Sequence, residues 1–338
     1  MLLGRRHAAV VLLLAALLCG CSSSPQQGAS PKRPTAGPAA EPADSPLAAG
    51  TPTGRVVHVG DRPEGIVADP RTHIVAVAVR DPSRLLLLDG RTGAVRTRVP
   101  LPGTLRHLQL DRPGGPVLVP NETADELLEV SLPAGKIVRR SKTGVSPHDA
   151  TGAANGTVFV GNERGGSVVA VKGSKVVRTF DSTQPGGLAA VDDTVAEVDV
   201  AEYTLTTYDA VRLARIAEVP AGKGPTHVVA DRHGVFDVLD TRGGALLRYA
   251  SMPKPRRIGR MALPGSPYGV SYDTARDRLW VTLTGRNEVV GIDLGGARPK
   301  VAYRFDTVRQ PNTVAVDSGS GRVFVAGAAD GELQLIDP

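Results

Sequence analysis

One short phrase recurs along this chain at a near-constant interval, and no other feature narrows the possible folds as far. It reads Pro225-Thr226-His227-Val228-Val229-Ala230-Asp231 in one copy, Pro267-Tyr268-Gly269-Val270-Ser271-Tyr272-Asp273 in the next and Pro311-Asn312-Thr313-Val314-Ala315-Val316-Asp317 in the last. Earlier copies begin at Pro63, Leu105, Pro147 and Pro185, so the seven anchors lie 42, 42, 38, 40, 42 and 44 residues apart. A period near 40 residues marks an array of small units that bury a core only by stacking on one another.

Each unit reads as four short strands. In the first they fall near 65–68, 74–79, 85–89 and 94–99, divided by Asp69-Pro70, Arg80-Asp81-Pro82 and Asp89-Gly90, all turn-forming. Gly 39 and Pro 27 make up about a fifth of the chain against an average of roughly 12%, and no stretch after residue 50 keeps a helical period. Four antiparallel strands in about 41 residues is the arithmetic of a β-propeller blade. The spacing therefore predicts an all-β, seven-bladed β-propeller over 51–338, a single domain at a length that would otherwise suggest two. The last copy supplies three strands, and residues 55–59, Arg-Val-Val-His-Val, hold the fourth-strand position relative to Pro63. They are expected to complete blade seven and close the ring, which otherwise leaves an unpaired edge.

The phrases Val158-Phe159-Val160-Gly161-Asn162-Glu163, Arg278-Leu279-Trp280-Val281 and Arg322-Val323-Phe324-Val325, the pairs Ile292-Asp293 and Ile336-Asp337, and the anchors Pro147-His148 and Pro311-Asn312 resemble YVTN-type β-propeller repeats. The resemblance covers 55–338. It implies an exported or surface propeller, in a group whose members often have no assigned activity and whose wider relatives include lactonases and lyases. Blades two and four depart most from the pattern, with Leu105 in place of the proline and Val195-Ala196-Glu197-Val198 in place of an aromatic strand.

The N-terminus reads as an address. Arg5 and Arg6 precede an apolar run over 8–18, long enough for an export signal but short of a membrane-spanning helix. Leu18-Cys19-Gly20-Cys21 resembles the lipobox of bacterial lipoproteins, which implies cleavage ahead of Cys21 and lipidation of its thiol. The arginine pair leaves both the general and the twin-arginine export routes open. No cysteine follows Cys21, so disulfides, c-type haem attachment and cysteine zinc sites are excluded from the body of the chain. Residues 22–50, mostly Ser, Pro, Ala, Gly and Gln, carry too little apolar surface to offset their ordering and are expected to form a disordered tether of roughly 30 Å reach. The expected division is a signal peptide over 1–20, a lipidated Cys and tether over 21–50, and the propeller, held at the extracytoplasmic face of the cell membrane.

Strand parity puts every connection from a fourth strand to the next first strand at the same end as the loops between second and third strands. That end gathers His107, His148, Asp149, His227, Tyr268 and Asn312 from the first set, and Arg80, Asn121, Glu122, Asn162, Glu163, Asp240, Arg242, Arg286, Asn287 and Asp330 from the second. A polar mouth over a central channel is where such a ring binds a ligand, and its expected contacts are His107, His148, Asp149, Asn162, Glu163, His227, Asp240, Arg242, Arg286 and Asn312. The three histidines fit a divalent metal, an organic or protein ligand, or plain strand-end caps, and the sequence leaves all three open. Asn121-Glu122 and Asn162-Glu163 recur at one blade position and read as turn chemistry. A G-x-S-x-G nucleophile and a phosphate loop are both missing. Lys254 to Arg260 reads as a solvated outer loop and Trp280 as core.

The formal charge of +6, two units of which belong to Arg5 and Arg6, is too dispersed for a polyanion, and aromatics at 4% leave few stacking platforms, so no nucleic-acid partner is expected. The expectation is a monomeric, lipid-anchored binding or scaffolding propeller, without catalytic residues or cofactor, whose mouth holds an envelope protein, peptide or cell-wall component. The alternative is a metal-assisted extracytoplasmic lactonase or lyase using a divalent metal with His148, His227 and Glu163 or Asp240.

Overall fold

The computed structural model describes residues 37–47 and 50–338. The expected signal peptide, Cys21 and the tether up to residue 36 lie outside the described residues. Seven four-stranded antiparallel sheets follow one another along the chain. In the first, Asp61–Ala68, Ile74–Asp81, Ser83–Asp89 and Val95–Pro100 pair in chain order. Helical structure among the described residues is limited to two short turns, Glu122–Ala124 and Thr284–Arg286. The ring closes as the sequence predicts: Arg55–His58 pairs with Glu332–Ile336, Arg55 opposite Leu335 and His58 opposite Glu332.

The middle strands of each blade are buried on both faces, which explains their near-continuous apolar runs. In Ile74–Asp81, Val75, Val77 and Val79 pack with Phe324 and Leu333 of blade seven, while Ile74, Ala76 and Ala78 pack with Val117 and Leu128 of blade two. The period of two thus serves two neighbours rather than a core and solvent. Seven apolar clusters result, one in each gap between blades. Trp280 is fully buried between blades six and seven, as expected. The basic run differs from its expected place: Arg256–Ala262 is the outermost strand of blade five rather than a loop.

The Asp that ends the repeated phrase folds the turn at the opposite end. Asp69 accepts from the Thr72 amide and hydroxyl, Asp231 from the His233 and Val235 amides, and Asp317 from the Gly319 amide and the Ser320 hydroxyl. Several also stitch blades together. The Gly114 amide donates to Asp69, and His73 Nδ1 lies 2.7 Å from Asp317.

Blade four departs from the repeat because its second strand carries a buried carboxyl. Glu197 accepts from the Tyr208 hydroxyl at 2.8 Å and from the Ser182 hydroxyl at 2.6 Å. Burial, and then the neighbouring Asp199, push its carboxyl from 4.5 up to about 7. A raised pKa means that the folded state favours the protonated acid, so the stabilisation is complete below pH 4.5 and is lost as the pH rises through 7. Unfolding free energy measured in urea should therefore fall by about 3 kcal/mol on this account between pH 4.5 and 7.5, and Glu197→Gln should remove that share of the fall. Identical pH profiles for the two proteins would refute this.

The tether differs most from expectation. Rather than lying free, residues 37–47 run along the rim of blades four to seven. The Gly37 amide donates to the Ala201 carbonyl. The Tyr203 hydroxyl and Arg242 both donate to the Pro38 carbonyl, and Arg242 also reaches that of Ala39. Thr284 Oγ1 accepts from the Ala43 amide at 3.0 Å, and Gln310 both accepts from the Ser45 amide and donates to the Ala43 carbonyl. Asn287 donates to the Pro46 carbonyl.

Candidate functional site

The mouth is built by a fault repeated in the sheets. In six blades the innermost strand slips register just after its anchor, between Pro63 and Gly65, Pro147 and Asp149, Pro185 and Leu188, Pro225 and Val228, Pro267 and Val270, and Pro311 and Thr313. A bulge of this kind frees a residue from the ladder and re-aims its side chain. Blade two reaches the same result by breaking: Leu105 makes one bridge to Asn121, and pairing resumes only at Gln109. Gly65 admits that broken strand, since a Cβ there would sit 1.8 Å from the Arg106 carbonyl oxygen. Glu64, His107, His148, His227, Tyr268 and Asn312 are among the residues so released.

Three histidines from blades two, three and five converge. His107 lies between the other two, its ring centroid 4.5 Å from that of His148 and 4.7 Å from that of His227. His107 and His227 face each other through Nε2 atoms 3.4 Å apart, so one ring donates and the other accepts. Tyr268 stands edge-on to His227 at 4.6 Å. On the far side, His148 Nδ1 lies 3.3 Å from Glu122 and 3.2 Å from Glu163, and Arg106 Nε lies 3.4 Å from Glu122.

Charge divides the row. Burial, followed by the cationic His148, lowers His227 to about 3 and His107 well below its ordinary value, so both are neutral. Burial also acts to lower His148, but the two glutamates outweigh it and lift the ring to about 9, a cation at neutral pH. Glu163 is held at about 2: burial opposes ionisation, and the bond and charge of His148 overcome it. A general acid or base works best with a pKa near the operating pH, and these rings titrate well to either side. The arrangement suits holding a polar group with fixed donors and acceptors. One subset could also hold a hard divalent cation: the donor atoms of Glu122, His148 and Glu163 all lie within 4.8 Å of one another.

Two cavities adjoin the row. Above it, a partly open cavity of about 190 Å³ lies between Glu41 and Pro42 of the docked segment and Arg106, His107, Tyr268 and Asn312. Below it, a channel of about 540 Å³ runs between Ile66, Val228, Val270 and Val314 towards Pro113 and Ser318 at the other end.

Of the expected mouth residues, His107, His148, Glu163 and His227 are brought together, and Asn312 joins them at the upper cavity. The rest serve elsewhere. Asp149 lies in the channel wall as a staple across three blades, accepting from Gln109, from the Leu188 amide at 2.8 Å and from the Ala150 amide; burial pushes its carboxyl up to about 6 against those bonds. Asn162 is buried and donates to the Thr143 carbonyl and to Ser167. Asp240 accepts from the Lys223, Gly224 and Gly243 amides and so folds its own loop, well occupied by that role and unable to join His148. Arg242 holds the docked segment, and Arg286 lines neither cavity. The reading of Asn-Glu pairs as turn chemistry is right for Asn121 and Asn162, which bond loop carbonyls. It misses Glu122 and Glu163, which meet on His148. Arg106 and Glu64 were also missed, though each adjoins an anchor position whose neighbour points into the mouth.

Fold and site together define a β-propeller with a charged chamber at one end of its axis. No family model matches the sequence, and no curated protein matches it. Among solved structures it is similar to hydrazine synthase of Kuenenia stuttgartiensis (15% identity, TM-score 0.70, covering 83% of this chain and 98% of that one). It is similar also to virginiamycin B lyase of Staphylococcus aureus (14%, 0.69, 84% and 99%) and to the β-propeller domain of Cps50 (Swd1) of Myceliophteria thermophila (10%, 0.71, 84% and 99%). At these identities the likeness is one of fold.

Proposed function

We propose that this is a lipid-anchored extracytoplasmic binding propeller whose mouth holds a polar segment of an envelope protein, peptide or cell-wall component. The observation that carries the reading is the convergence of His107, His148 and His227 with Glu122, Glu163 and Arg106, half-buried charge around a buried His148 that turn geometry does not require. Its pKa values, far from neutrality on both sides, favour recognition over proton transfer. The anchor rests on Cys21 at the end of the export-like run. In an envelope extract, chain carrying Arg91→Ala on the opposite face should capture the same material as the wild type, while His148→Ala and Glu163→Gln should lose at least tenfold. Cys21→Ala should in the same cells end incorporation of a fatty-acid analogue. Capture that survives both mouth substitutions would overturn the site, and labelling that survives Cys21→Ala would overturn the anchor.

A second reading has one specific observation behind it. Glu122, His148 and Glu163 offer two carboxylates and an imidazole at a spacing that a divalent cation would draw together, and the fold is shared with a lyase. A metal there would polarise a substrate carbonyl, with Arg106 and Tyr268 left to orient it. Calorimetric titration with Mg²⁺, Mn²⁺ and Zn²⁺ decides between the readings: one equivalent bound by the wild type and lost in Glu122→Gln supports the enzyme.

A further inference from the structure

The segment over 37–47 is held in a way that resembles a bound peptide more than a piece of fold. Its recognition goes through its backbone: Tyr203, Arg242, Thr284, Asn287 and Gln310 bond the carbonyls of Pro38, Ala39, Ala43 and Pro46 and the amides of Ala43 and Ser45. Prolines at 38, 42 and 46 recur every fourth residue. They pre-set an extended chain and lower the ordering cost, as in proline-rich ligands. Only Ala40 is buried, so the segment contributes little apolar surface, and its hydrogen bonds, about one per residue, roughly offset the ordering they require.

The groove itself is built for this purpose. In blades two to seven the fourth residue beyond the end of the second strand takes a left-handed conformation; blade two uses Asp125 there, and blades three, five and seven use glycine, Gly166, Gly244 and Gly331. Blades four and six place Tyr203 (φ 57) and Asn287 (φ 52) at that position, where glycine is the easier choice. Both side chains bind the segment. The Arg242 guanidinium lies over the Tyr203 ring at 5.5 Å, which fixes the donor that reaches Pro38.

We propose that the rim of blades four to seven is a groove for an extended, proline-spaced polypeptide, and that residues 37–47 are its resident and exchangeable occupant. Docked, Glu41 and Pro42 roof the chamber above His107; release of the segment opens it. The gating consequence rests on the proposed function of the mouth, whereas the groove does not.

The test uses a fluorescent peptide of residues 36–47 and the full chain with 37–47 replaced by Gly and Ser at equal length. Anisotropy should show saturable binding to the replaced chain and at least tenfold weaker binding to the intact one, whose resident segment competes at high effective concentration. Adding Tyr203→Ala and Gln310→Ala, or changing the three peptide prolines to glycine, should weaken binding at least tenfold. His148→Ala should leave it unchanged, so loss of envelope capture with peptide binding intact separates the mouth from the groove. A replaced chain that melts like the wild type and binds no peptide overturns the proposal, as does equal binding by the intact chain. Should the replaced chain not fold, hydrogen exchange on the intact protein decides: Tyr203→Ala should speed exchange at the Ala43 and Ser45 amides at least tenfold, and unchanged rates refute the groove. Dimerisation of the intact chain on dilution-resolved gel filtration, abolished by the replacement, would assign the segment to a neighbouring copy and overturn exchange within one chain.

Discussion

A chain that begins at Pro63 should aggregate or melt about 10 °C below the intact protein, whereas one that begins at Pro52 should melt within about 2 °C of it. The shorter chain loses Arg55–His58, the only partner of the outer edge of Glu332–Ile336. Val57 then leaves the cluster between blades seven and one, and Val56 the cluster between six and seven. Burial of this size and an unpaired edge amount to about 3–5 kcal/mol. Of the described contacts, the longer chain loses those of the docked segment, whose polar bonds and ordering nearly cancel. Equal melting temperatures for the two chains would mean that the strand does not close the ring.

Replacing Asp149 with Ala should lower stability by about 2–4 kcal/mol, because the Leu188 amide of blade four and Gln109 of blade two lose a shared buried acceptor. Asp149→Asn keeps one carbonyl oxygen and should lose about half as much. Asp44→Ala, on the exposed docked segment, serves as the control and should change nothing. A thermal melt of Asp149→Ala within about 2 °C of the wild type would remove the staple from the account.

The ring was legible because its grammar is local. Anchor spacing, strand runs such as Ile74 to Val79 and turn pairs such as Asp89-Gly90 each report on a few neighbouring residues, and seven copies average out the noise. The two blades that fitted poorly did so for physical reasons: the first strand of blade two breaks after Leu105, and blade four buries Glu197 under Tyr208. The site was half legible. Its histidines stood out, but Asp149, Asn162 and Asp240 are polar residues at the same end that spend their polar atoms largely on backbone. Only a bond pattern separates the two uses. Glu122 sits at the same end but reads as turn chemistry because it recurs, and its place beside His148 Nδ1 shows the other use. The docked segment escaped because composition measures how much apolar surface a peptide can bury and says nothing of a rim that binds its backbone.

The bulge at the head of each innermost strand has a consequence for how such a ring changes. Core positions answer to two neighbouring blades at once, so a substitution there disturbs an interface. The bulged residue lies outside the ladder of its own sheet. Around the axis these stretches include Glu64, His107, His148, Gly187, His227, Tyr268 and Asn312, one from each blade, with one left blank. The blank has its own reason: a Cβ at Gly187 would come within 3.0 Å of the Val228 amide and 3.1 Å of His227 Cα. The lining of the mouth can therefore be rewritten one slot at a time, as letters on a fixed dial, while the scaffold that carries it stays the same.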